Sequence, residues 1–150
     1  MTDSTDSAKG PESTESTETA GIPRPAVVRD RGDLLTLSAG RYSAEISTVG
    51  AIVESLTVGG RDLLVRNPEH GPMAFYRGAI VAPWPNRIGD GLYTWDGQEI
   101  QAPLTEVERG NALHGLISFQ AFTPVTVGDD EVILRTELYP SPGYPFHLLV

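Results

Sequence analysis

Two dipeptides, Gly59-Gly60 and Asp96-Gly97, each separate runs in which apolar and polar residues alternate. Both tolerate the positive φ that a two-residue hairpin turn demands, so each marks a tight antiparallel hairpin. The first lies inside "VGAIVESLTVGGRDLLV". The second joins "LYTW" to "QEIQ" and predicts strands near residues 91–95 and 98–104. Period two recurs elsewhere. "RYSAEIST" puts Tyr42, Ala44 and Ile46 on one face and Ser43, Glu45 and Ser47 on the other. "EVILRTELY" does the same with Val132, Leu134, Thr136 and Leu138. No window of helical period with a credible cap interrupts this pattern. Strands at such short, regular spacing predict an all-β, antiparallel β-sandwich or barrel.

A chain of 150 residues suits one domain, or one piece of a larger one. Residues 1–25 are Ser, Thr, Glu, Asp, Gly and Pro with almost nothing to bury, the composition of a disordered acidic tail, read first as a solubilising extension and second as an interaction tail. The folded domain is expected over residues 26–150. It ends on "GYPFHLLV", an apolar strand-like run that would form an open sheet edge, and this predicts the front portion of a longer fold.

Charge and composition remove several function classes. Eleven Lys and Arg stand against 20 Asp and Glu, a formal charge of -9 that repels nucleic-acid backbones. The absence of cysteine excludes disulfides, thiolate metal sites and a cysteine nucleophile. The first residues lack the basic and apolar regions of a signal peptide, and no apolar run is long enough to span a bilayer. The expectation is a soluble cytoplasmic protein without a membrane or nucleic-acid partner; its oligomeric state is left open.

The stretch "APWPNRIGDGLYTWDGQEI" sets a stiff, proline-bounded bend directly beside a hairpin. A bend made only to reverse direction needs no arginine at its apex. Arg87 carries a planar fork of donors able to clamp adjacent hydroxyls, although a surface salt bridge is the plainer role. Asn86 is able to bind hydroxyls through its amide or simply to close the turn. Trp84 reads first as core packing and second as a stacking surface for a pyranose. In "NALHGL", His114 precedes a glycine that permits close backbone approach, and imidazole both donates and accepts near neutral pH. On local grounds alone such a histidine is a satisfied structural residue. His70 reads as a loop residue and His147 as a strand residue. The three histidines are far apart and no carboxylate pattern accompanies them, so no metal site is expected. Phosphate loops, HExxH and nucleophile elbows are absent.

Taken together, the run G-x-x-x-x-P-x-x-N-R-I at Gly78 to Ile88, G-x-Y at Gly91 to Tyr93, the Asp96-Gly97 turn, and N-x-L-H-G at Asn111 to Gly115 resemble the N-terminal signature of the aldose 1-epimerase (galactose mutarotase) family. Looser similarity extends from about residue 33 to the end of the chain. The resemblance implies a galactose mutarotase-like β-sandwich of roughly twice this length. It implies an isomerase that opens and recloses a hexose ring, with a histidine acid, a glutamate base and no metal or cofactor. Neither catalytic motif occurs in these residues, so both are expected beyond residue 150 and the chain alone is expected to be inactive. What it carries over is a substrate-binding set: Arg87 and His114 as contacts to sugar hydroxyls and ring oxygen, with Asn86 beside them and His114 in a supporting part.

Two other readings share the scaffold. One is a hexose-6-phosphate 1-epimerase, which would need extra cations at the pocket; the chain's acidity favours a neutral sugar. The other is a non-catalytic sugar-binding protein. A truncated product without a stable fold is a third reading.

Overall fold

The backbone closes its two predicted hairpins as the turn chemistry requires. In the computed structural model, which describes residues 31–150, strands β1 (Leu34–Ala39), β2 (Tyr42–Ser47), β3 (Val53–Val58) and β4 (Arg61–Asp62) form one antiparallel sheet in sequential order. Gly59 and Gly60 join β3 to β4 with φ of 55° and 79°. The predicted acidic tail, residues 1–25, lies outside the described residues.

The second strand of that first hairpin is shorter than its apolar run suggested. β4 ends at Asp62, and Leu63, Leu64 and Val65 are exposed. Arg66 turns back to donate to Asp62 Oδ1 at 2.9 Å.

Further along come β5 (Arg87–Gly89), β6 (Leu92–Trp95), β7 (Gln98–Gln101), a single 3-10 turn at Val107–Arg109, and β8 (Asn111–Leu113). β6 and β7 pair antiparallel across Asp96 and Gly97, whose φ values of 48° and 74° are both left-handed, as this hairpin class requires. β7 stops at Gln101, short of the expected end, because Pro103 has no N–H to extend a ladder. β5 pairs with β8, setting Arg87 opposite Leu113.

The chain finishes with β9 (Thr123–Val127), β10 (Val132–Arg135), β11 (Glu137–Leu138) and β12 (Leu148–Leu149). β9 pairs with β10 and β11 with β12, again antiparallel. His147 immediately precedes β12 instead of lying within a strand. The alternation read in "EVILRTELY" holds: Thr136 and Leu138 are buried, while Ile133, Arg135 and Tyr139 are exposed. It is weaker in β2, where Tyr42 is exposed and Ser47 on the polar face is fully buried, its hydroxyl donating to the Val49 carbonyl at 2.9 Å. A buried hydroxyl is tolerated there because it is paired.

Ile117, Phe122 and Leu138 form the buried cluster, with Ala82, Leu116 and Tyr144 packed against it. Ala82 thus ties the proline-bounded bend to the core. The four-stranded sheet is joined to this region through Gly50 N–H to the Gln120 carbonyl (2.8 Å) and Phe122 N–H to the Thr48 carbonyl (2.7 Å). Among the described residues no helix is long and apolar enough to cross a membrane.

Candidate sugar site

The bend reaches the site because it is stitched to the "NALHGL" segment at several points. Leu116 N–H donates to the Ala82 carbonyl at 2.7 Å, and His114 N–H to the Asn86 carbonyl at 3.0 Å. Between them Gly115, at φ 73°, packs so tightly that an added Cβ would stand 1.9 Å from the Ala82 oxygen. Only glycine fits. The Trp84 indole N–H donates to the Ala112 carbonyl at 3.1 Å, which fastens the bend to β8 and gives Trp84 a structural part.

Arg87 and His114 line one cavity of about 570 Å³, together with Phe75, Tyr76, Glu106 and Arg109. Asn86 is exposed at the apex, and its backbone carbonyl accepts from His114. Asn86, Trp84, His70 and His147 are not part of the lining. His147 instead lies with Glu137, whose carboxylate also accepts from Tyr139 and Arg135.

Glu106 is the residue that sequence reasoning missed. Its carboxylate takes Arg87 in a fork-to-fork pair, Nε to Oε2 at 2.7 Å and Nη2 to Oε1 at 2.8 Å. Asn111 Nδ2 donates to the same Oε2 at 2.7 Å. These hydrogen bonds, first from Arg87 and then from Asn111, lower the Glu106 pKa from 4.5 to about 2. Its carboxylate raises the Arg87 pKa in turn. The pair uses two of the roughly five N–H donors of a guanidinium, leaving the others for a ligand. The available signal was faint: Glu106 precedes the Asn111 motif residue and forms a bridge with it across the 3-10 turn.

The imidazole of His114 is oriented as well. Nδ1 lies 2.9 Å from the Pro85 carbonyl. A carbonyl only accepts, so Nδ1 carries the proton and Nε2 of the neutral ring is left as an acceptor. The Tyr76 ring meets the imidazole edge-on, with centroids 4.6 Å apart. His114 itself has φ 57°, and Phe75 and Tyr76 have 54° and 56°. Left-handed backbone at bulky residues costs about 1–3 kcal/mol each and gathers at ligand sites. Among the described residues no group of three or more His, Asp or Glu side chains is placed to hold a metal ion.

The model of one protein family, Aldose 1-epimerase, matches residues 33–150. The chain belongs to the aldose 1-epimerase family. It is 41% identical over 118 residues to the uncharacterized protein YihR of Escherichia coli (strain K12), covering 78% of this chain and 38% of that protein. The crystal structure of b2544 from Escherichia coli K12, described as a "putative aldose 1-epimerase", superposes with a TM-score of 0.65 at 25% identity, covering 78% of this chain and 40% of that one. The GalM/aldose epimerase homologue from C. elegans gives 0.64 at 17% identity over 77% of this chain and 39% of that one, a likeness of fold alone. The family assignment and the all-β antiparallel fold expected from the sequence are therefore borne out. This family member spans about two fifths of the length of the relatives it matches.

Proposed function

We propose that this chain is the N-terminal, sugar-binding portion of an aldose 1-epimerase that interconverts the α and β anomers of a neutral hexose. The observation that carries the reading is the shared cavity of Arg87 and His114, with Arg87 held by the Glu106 carboxylate and His114 by the Pro85 carbonyl. Arg87, fixed by Glu106, directs its remaining donors at sugar hydroxyls. His114 offers Nε2 as an acceptor to a hydroxyl, or as a donor to the ring oxygen once protonated. Asn86, exposed at the apex and outside that lining, contributes through its backbone carbonyl, which accepts from His114 N–H. Arg87 and Arg109 are matched in the lining by Glu106 and Glu108, so the cavity has no surplus of cations for a phosphate. That balance favours a neutral sugar over a hexose phosphate.

Mutarotation requires a base to take the anomeric proton and an acid to protonate the ring oxygen as the C1–O5 bond breaks. Glu106 is unsuited to act as the base, because a carboxylate with a pKa of about 2 accepts protons feebly near neutrality. The histidine acid and glutamate base are assigned to sequence beyond residue 150. Polarimetry on freshly dissolved α-D-glucose or α-D-galactose tests this. The 150-residue chain should barely exceed spontaneous mutarotation. A continuation carrying the acid and base should accelerate it strongly, since each proton transfer contributes about a hundred- to ten-thousandfold. Robust turnover by the chain alone would overturn the division of labour.

A further inference from the structure

Phe75 is 89% exposed, the most exposed large hydrophobic residue among the described residues. It is not loosely placed. The Asn67 side chain brackets the two left-handed residues Phe75 and Tyr76, accepting from Ala74 N–H at 3.0 Å on one side and donating to the Arg77 carbonyl at 3.2 Å on the other. The same amide donates to buried Glu54 at 3.2 Å, and Glu54 is paired with Arg31 at 2.5 Å. A part-buried ion pair and an asparagine therefore anchor a backbone that bulky side chains rarely adopt. The outcome is an aromatic ring at the cavity that also holds Arg87 and His114. The Arg77 guanidinium lies 5.6 Å from the ring centroid, a cation-π contact that helps orient the ring while leaving it exposed.

We propose that Phe75 is the stacking platform of the site, taking the apolar C–H face of a pyranose whose hydroxyls are held by Arg87 and His114. The inference rests on the sugar-site reading above and adds a specificity. An aromatic plane complements the flat face of a closed ring. It has nothing comparable to gain from an acyclic polyol, which presents the same hydroxyls on a flexible chain. Phe75 thus selects ring form, while Arg87 recognises hydroxyls in either form.

The test is an equilibrium titration of the full chain with methyl β-D-galactopyranoside and methyl β-D-glucopyranoside, which cannot mutarotate, and with sorbitol. The wild-type chain should bind a pyranoside more tightly than sorbitol. Phe75→Ala should weaken pyranoside binding by about tenfold and leave sorbitol binding unchanged, whereas Phe75→Trp should keep the preference. Arg87→Ala should weaken both ligands. If Phe75→Ala retains the wild-type preference while Arg87→Ala loses binding, the stacking proposal fails and the sugar site stands. If the wild-type chain binds none of the three, both fail together. Because Phe75 is exposed, circular dichroism of Phe75→Ala should match the wild type, and the Trp variant guards against a local collapse.

Discussion

Glu106 and Arg87 lock together through two parallel hydrogen bonds of 2.7 and 2.8 Å, with the arginine side chain 43% exposed at the cavity and the glutamate 17%. An ion pair this open to water contributes little to folding. Its consequence is positional: the guanidinium plane is set before a ligand arrives, so less side-chain freedom is lost on binding.

Glu106→Gln keeps the size of the side chain and removes its charge, weakening the fork. Hexose affinity should fall by about threefold to tenfold with Tm almost unchanged, as judged by titration calorimetry and thermal unfolding. A large drop in Tm with unaltered affinity would recast the pair as structural.

The pH dependence has a defined sign. Glu106 ionises in the folded chain at about 2 instead of 4.5, so its folded pKa is depressed. Its contribution to stability is complete above the unfolded value and is lost as pH falls from about 4.5 toward 2. Carboxylate ¹³C shifts followed by NMR should place the Glu106 midpoint below its ordinary value of 4.5. A midpoint close to 4.5 would mean that the fork is not formed in solution.

Gly115 and Gly97 have nearly the same φ, 73° and 74°, yet differ in what surrounds them. Nothing lies within 4 Å of a Cβ built on Gly97, whereas one on Gly115 meets the Ala82 oxygen at 1.9 Å. Gly97→Ala should cost about 1 kcal/mol, the left-handed penalty alone. Gly115→Ala should exceed it by at least about 2 kcal/mol and weaken sugar binding, because the bend must shift away from His114. Equal losses in chemical denaturation would remove the close approach as the reason for this glycine.

Trp84 separates packing from recognition. Trp84→Phe keeps an aromatic ring and removes the donor to the Ala112 carbonyl, so stability should fall by about 1 kcal/mol while hexose affinity is retained. Loss of affinity in a variant that stays as stable as wild type would restore Trp84 to the sugar site.

The hairpin at Asp96-Gly97 was legible from a few residues because positive φ at two successive positions is a local requirement that few dipeptides meet. Arg87 and His114 were legible as candidate site residues through motif order, without any view of what holds them. Period two located the strands, but it did not tell which face of β2 is buried: Ser47 is hidden where Tyr42 is exposed, since burial depends on what another part of the chain lays over each face.

Alternation and turn chemistry, set by neighbours along the chain, made this an antiparallel β protein on sequence alone, and the spacing of its motifs made it an epimerase relative. Tertiary structure decided the rest. Glu106 meets Arg87 across 19 positions of chain, and Asn67 reaches Glu54 across 13. Phe75 acquires meaning only once a strained turn brings it to the cavity that His114 also lines. Such pairings depend on the path of the folded backbone, and no periodicity in a sequence encodes which distant side chains that path will join.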